Sequence, residues 1–230
     1  VIVMVEATLT PLLLTLKIAT CATLLAAVLG IAAGWVLARF DFVGRNFLDA
    51  VLLLPMVMPP TVLGYYLLVA LGRNSALGHW LEASLGIELV FTWKGAAIAA
   101  AVVAFPLVFK AARAAFEEVD PNFEKAGRTL GYSEVTLFTR VTLPLAWRGI
   151  VAGTMLAFAR AMGEFGATLM VAGNIPGRTQ TMSIAIYEAV YAGDDAQANG
   201  LVVVASAVCI VLLVSAGTLV QRGHLRLQRQ

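Results

Sequence analysis

Charge is what this sequence has least of: only 13% of its 230 residues are Asp, Glu, Lys or Arg, against 60% hydrophobic ones. A chain this apolar cannot bury its surface in one soluble core, so it belongs in lipid. It has two cysteines, Cys21 and Cys209, both inside apolar runs and without CxxC spacing, which gives neither a disulfide framework nor a metal site. The two histidines, His79 and His224, fall in a loop and in the tail. The apolar runs contain no nucleophile with a base, no metal cluster and no paired carboxylates, so an intramembrane hydrolase lacks its parts and no catalytic residue can be named. The phosphate-cradling pattern GxxxxGK[ST] is absent, and the spans leave no room for a nucleotide-binding domain, so no cofactor is expected on this chain. The net charge of +2 does not point to nucleic acid, because the basic residues sit at span ends and in short loops. The opening VIVMVEATLT lacks a basic stretch and a small-residue cleavage site, and is not expected to be a cleaved signal peptide.

What is present is a series of uncharged runs of membrane-crossing length. Ile18 to Ala38, Ala50 to Leu71 and Leu201 to Val220 each approach the roughly 20 residues that cross a hydrocarbon core. Gly95 to Phe109 is shorter, but Trp93, Lys94, Lys110 and Arg113 can snorkel to the two interfaces and complete a crossing. Gly149 to Ala172 is apolar apart from Arg160 and Glu164, which are costly facing lipid and so should face protein or water. The expected fold is all-α: one transmembrane domain over residues 1–230, with five spans at about 12–38, 48–71, 93–115, 147–172 and 198–220. Lys17 is expected to snorkel near the outer end of the first span.

Lys and Arg set the orientation, since cytoplasmic loops collect positive charge. Arg39, Arg45, Lys110, Arg113, Lys125, Arg128, Arg140, Arg148, Arg222, Arg226 and Arg229 fall on one side; Arg73, Lys94 and Arg178 fall on the other. The N-terminus is therefore expected outside and the C-terminus in the cytoplasm, with a cytoplasmic loop at about 116–146. Outside, Leu77, Trp80, Leu81 and Leu85 are spaced for a short interfacial helix, and Met182, Ile186 and Val190 for another after the Pro176-Gly177 turn. Pro55, Pro59 and Pro60 should kink or break the second span, which suits a helix lining a pathway or one bent for packing.

The cytoplasmic loop is not loop-like in composition. Residues 120–144, DPNFEKAGRTLGYSEVTLFTRVTLP, read as two short amphipathic helices around a glycine. Phe123, Ala126, Gly127 and Leu130 form one apolar stripe, with Glu124, Lys125 and Arg128 on the opposite face. Pro121 suits a helix start, Gly131 permits the turn, Val135, Phe138 and Val141 form a second stripe, and Pro144 fits the first turn of the fourth span. By themselves these residues describe either a helical hairpin on the cytoplasmic face or an interfacial helix packed on the bilayer.

The same residues resemble the "EAA" loop of permease subunits in binding-protein-dependent ABC importers: EAA, three residues, Gly, nine residues, Ile, one residue, Leu-Pro. The register here is Lys125-Ala126-Gly127, Gly131, Val141, Leu143 and Pro144, with Lys125 where the family has Glu and Gly127 where it has Ala; Glu124 stands one position earlier. The segment RAMGEFGATLMVAGNIPGRTQT, with LPMVMPPTVLG and LGHWLEASLG, resembles the oxyanion branch of the family, molybdate permeases most of all, with sulfate and tungstate permeases sharing much of the GEFGA pattern.

The resemblance implies a permease working as a homodimer in a bacterial or archaeal cytoplasmic membrane, with two ATPase subunits that hold ATP and Mg docking on the cytoplasmic loop. It also implies an external oxyanion-binding protein that delivers cargo. Pathway or gate residues are then expected among Pro59, Pro60, Arg160, Gly163, Glu164, Gly166 and Thr168. Arg160 and Glu164, four apart on one helix, can pair; they either meet the anion or brace the bundle. Gly163 and Gly166 permit close helix approach. A stand-alone secondary transporter is the rival reading, and Glu164 is the sole intramembrane carboxylate it could use.

Overall fold

The computed structural model describes residues 2–227, with side chains described for 7–212 and 214. Arg229 lies outside the described residues, as do the side chains of Arg222, His224 and Arg226. Among the described residues there are helices and no strands. Among these residues four helical stretches are long and apolar enough to cross a membrane, or five when one bent pair is taken as a single span.

The centre of the bundle is α5, Trp93–Glu117, enclosed by α1, Ile2–Arg39, and α8, Leu143–Met162. Lipid tails are as apolar as side chains, so close packing rather than water exclusion must hold these helices together, and small residues allow it. Alanines do most of this work: Ala19, Ala22 and Ala26 of α1 meet Ala96, Ala100 and Ala104 of α5. Glycines allow close approaches to α5 from both sides. A Cβ on Gly34 would lie 2.9 Å from the backbone nitrogen of Arg113, and one on Gly153 would lie 2.3 Å from Cβ of Ala111. At one end Arg113 joins Asp49 at 2.5 Å and Glu117 at 2.8 Å, tying α5 to α2, Arg45–Val57. Near the other end Lys17 lies over the ring of Trp93, 3.7 Å from its centroid. Its charge therefore rests on an aromatic face, where snorkelling alone was expected.

The segment read as the second span is α2 and α3, Pro60–Leu71, bent by 111°. The cause is local. A residue before proline is driven out of the α region, and here two such residues are consecutive. Met58 sits at φ −74°, ψ 143° and Pro59 at φ −56°, ψ 133°, so both are extended and the helix must break.

Two further segments depart from expectation. The first helix starts at Ile2, well before residue 12. The fourth segment is not one helix over 147–172: α8 ends at Met162, and α9, Gly166–Ala172, begins after a break at 163–165. In the other direction the helical run is longer than expected. It starts at α7, Glu134–Leu137, passes through a π-helical turn at Phe138–Thr142 and enters α8 without a gap. The wider turn comes just before Pro144, whose ring and missing N–H would disturb a regular α-turn there.

Besides α6, described below, three more helices are found among the described residues. Short α4, Ala76–Leu85, is capped by Ser75, whose Oγ accepts from Gly78 N at 2.8 Å. The next, α10, Met182–Tyr191, joins α1 where Met182 N donates to Thr15 Oγ1 at 2.8 Å. The last is α11, Asp195–Leu227.

Candidate functional site

The loop after α5 carries α6, Pro121–Thr129, started by Asp120, whose Oδ1 accepts from Asn122 N at 2.8 Å. Gly131 ends it at φ +80°, a left-handed conformation that only glycine adopts cheaply, while Tyr132 N donates to Gly127 O at 3.1 Å. Across the turn, Arg128 forms a two-bonded pair with Glu134, at 2.7 and 3.0 Å. The hydrogen-bonded guanidinium holds the Glu134 carboxyl below the usual carboxylate range. The two arms of the loop close together because Gly127 has no side chain: a Cβ there would be 2.3 Å from Cδ2 of Leu137.

The expected faces of α6 are rearranged. Glu124 and Gly127 turn inward, whereas Phe123 (56% exposed), Ala126 and Leu130 (74% exposed) turn outward with Lys125. The reason is the Glu124 carboxylate, caught 2.8 Å from Nη2 of Arg39 and 2.6 Å from the Thr142 hydroxyl, which donates to it. On the second arm the inward residues are Leu137 and Phe138, while Val135 is exposed and Val141 and Leu143 are half-buried. The π-helical turn widens the spacing between Phe138 and Val141, the last two positions of the expected stripe. Phe138 lies against Trp35 of α1 (5.3 Å between centroids) and Phe116 of α5 (6.1 Å). Pro144 is exposed at the start of α8. Sequence reasoning treated Arg39 only as a topological charge and did not single out Thr142; their separation from Glu124 along the chain concealed the cluster.

The second region brings the two helix breaks together. Gly166, at the start of α9, lies against the start of α3: a Cβ there would sit 3.2 Å from Pro60 Cβ and 3.3 Å from Thr61 N. One turn on, a Cβ on Gly64 would lie 2.9 Å from Cα of Ala167, a contact the sequence did not reveal. Pro59 and Pro60, Gly166 and Thr168 thus share one neighbourhood. Arg160 Nη1 and Glu164 Oε2 pair at 2.8 Å. They do not sit on one helix, however: Glu164 lies in the break, and its other oxygen accepts from Ala167 N at 2.8 Å, capping α9. Its side chain is enclosed, while that of Arg160 is 36% exposed. Thr168 is buried and its hydroxyl donates to Phe165 O at 2.9 Å, so it faces its own helix. Gly163 makes no close approach among the described residues, where the one atom within 4 Å of its missing Cβ is Ala159 O at 3.9 Å.

At the other end of the bundle an open cleft of about 960 Å³ lies among α3, α4 and the 174–180 loop, with Arg73, Phe91 and Arg178 on its walls. Arg73 is held by Glu82 at 3.2 Å and by Glu88. Glu188 is occupied by Asn174 at 2.8 Å and by Gln180.

A central buried helix, a bent crossing whose break touches the break between α8 and α9, and a helical loop clamped to the bundle end define a multi-pass membrane transport subunit. The chain belongs to the family of binding-protein-dependent transport system inner membrane components, whose pattern matches residues 10–228. It is 44% identical over 203 residues to the molybdenum transport system permease protein ModB of Escherichia coli (strain K12), covering 88% of this chain and 89% of that one. It is also 36% identical over 208 residues to the sulfate transport system permease protein CysT of the same organism, covering 90% and 75%. Its fold is similar to a solved inward-facing conformation of the MetNI methionine ABC transporter, with TM-score 0.73, 16% identity and coverage of 95% and 97%.

Proposed function

We propose that this chain is the transmembrane permease subunit of an ATP-driven importer that carries molybdate into the cytoplasm. Two copies enclose the pathway, two ATPase subunits holding ATP and Mg dock on the cytoplasmic face, and an external oxyanion-binding protein delivers the cargo. The N-terminus is outside and the C-terminus inside. The chain supplies the path and its partners supply the hydrolysis.

The observation that carries this reading is the state of α6. Its apolar face, Phe123, Ala126 and Leu130, points outward with no partner among the described residues, while Glu124 and Gly127 fix it to the bundle. An exposed apolar face on a rigidly held helix suits a protein partner better than a free loop. Closure of the ATPases then pushes on α6, and the touching breaks of α3 and α9 are where the bundle can change shape by rigid-body motion. Molybdate is favoured by the 44% identity to a molybdenum permease; the 36% identity to a sulfate permease supports sulfate as the second reading.

Uptake by vesicles containing the full complex, with molybdate, tungstate and sulfate in competition, tests the assignment. Molybdate uptake that excess sulfate does not displace is the expected result, and displacement by sulfate at equal concentration would favour the second reading.

A further inference from the structure

Glu124 sits on the helix proposed to dock, yet its carboxylate turns away from the docking face. It joins three elements at once: α6 that carries it, Arg39 at the last position of α1, and Thr142 at the end of the π-helical turn that leads into α8. The cluster is enclosed, with Glu124 8% and Thr142 1% exposed. One turn before Arg39, Trp35 packs edge-on against Phe138 at the start of the same π-helical turn. An ionic anchor and an aromatic anchor at the two ends of one turn resist both sliding and rotation. Charges held away from water are screened less than exposed ones, so Arg39 and Glu124 attract each other across their 2.8 Å separation whatever the salt outside.

We propose that Arg39 and Glu124 are positioning residues for transport, making α6 move as one body with the ends of α1 and α8. Displacement of α6 then reaches α8, whose far end carries Arg160 beside the helix breaks. The proposal rests on the docking role of α6 given above, and it assigns Glu124 to force transmission within this chain in place of contact with the ATPase.

The complete complex, reconstituted in vesicles with its ATPase subunits and binding protein, is measured for ATP hydrolysis and molybdate uptake together. Arg39→Glu should leave the ATPase subunits bound while molybdate carried per ATP falls about tenfold. Adding Glu124→Arg, which restores the pair with its signs exchanged, should bring the ratio back to within about twofold of the unaltered complex. An unchanged ratio in Arg39→Glu, or loss of the ATPase subunits from it, would overturn the proposal.

Where Arg39→Glu fails to insert, a second variant decides. With Cys21→Ala and Cys209→Ala as background, Arg39→Cys and Glu124→Cys are joined by a short thiol-reactive linker. Helices that move together should keep their uptake when tied, and abolition of uptake by the link would show that they must part. If the unaltered complex binds no ATPase, the docking reading itself has failed, an outcome separate from either of these.

Discussion

Arg160 and Glu164 form an ion pair in which the two partners are unequally placed: the carboxylate is enclosed and also caps α9, while the guanidinium keeps an exposed edge. Removing Glu164 alone leaves Arg160 unpaired at the end of the span, a cost below the roughly 2.5–3.5 kcal/mol that insertion scales give at a helix centre. Glu164→Gln should therefore assemble poorly. The double variant Arg160→Met with Glu164→Gln keeps an oxygen for Ala167 N and removes the lone charge, so assembly should return. Recovery of most of the uptake marks the pair as a brace, the outcome expected here. Assembled but inactive double variants, scored by size-exclusion profile and uptake, would make Arg160 a contact of the anion.

Gly153 and Gly163 look alike in the sequence and differ in the structure. Gly153→Val must displace Ala111, whose Cβ cannot rotate away, and overpacking of this kind costs about 1–3 kcal/mol. Gly163→Ala meets open space at a negative φ, −89°, and should be close to neutral. Thermal unfolding in detergent should separate them clearly, and equal losses would contradict the packing of α8 on α5.

Docking on α6 has two independent handles. Gly131→Val forces a β-branched residue into φ +80°, costing about 1–2 kcal/mol without a steric clash, since nothing lies within 4 Å of the missing Cβ. Phe123→Glu puts charge on the outward face and leaves the backbone alone. Both should reduce ATPase co-purification while membrane insertion is unchanged. Undiminished co-purification in both would remove α6 from the interface.

Topology is checked by fusions to a reporter active only outside the cytoplasm. Activity is expected near Leu85 and Asp195 and silence near Ser133. An active fusion at Ser133 would invert the orientation and with it the docking face.

The helices and their breaks were legible in the sequence wherever the cause is local. Uncharged runs give the crossings, Pro59 and Pro60 give the break, Pro121 and Gly131 bound α6, and helical spacing gives α4 and α10. What was not legible depends on distant partners. Glu124 reads as a surface charge until Arg39 is placed beside it. Val135 reads as inward until Leu137 is seen to take the buried place against Gly127. The break at 163–165 contains no proline; Glu164, capping α9 from within the break, stabilises it, and a cap made by a glutamate is invisible to a search for Ser, Thr, Asp or Asn.

In the proposed function this chain passes an oxyanion only when a partner ATPase pushes on α6. The most direct test is radiolabelled molybdate accumulation in vesicles containing the full complex, with ATP inside the ATPase compartment, compared with the same complex whose ATPase site is disabled. Accumulation with the intact ATPase, lost when that site is disabled and lost again in Phe123→Glu, is the predicted result. Accumulation that persists with the disabled ATPase and follows an ion gradient would contradict it, and would make the chain a secondary transporter.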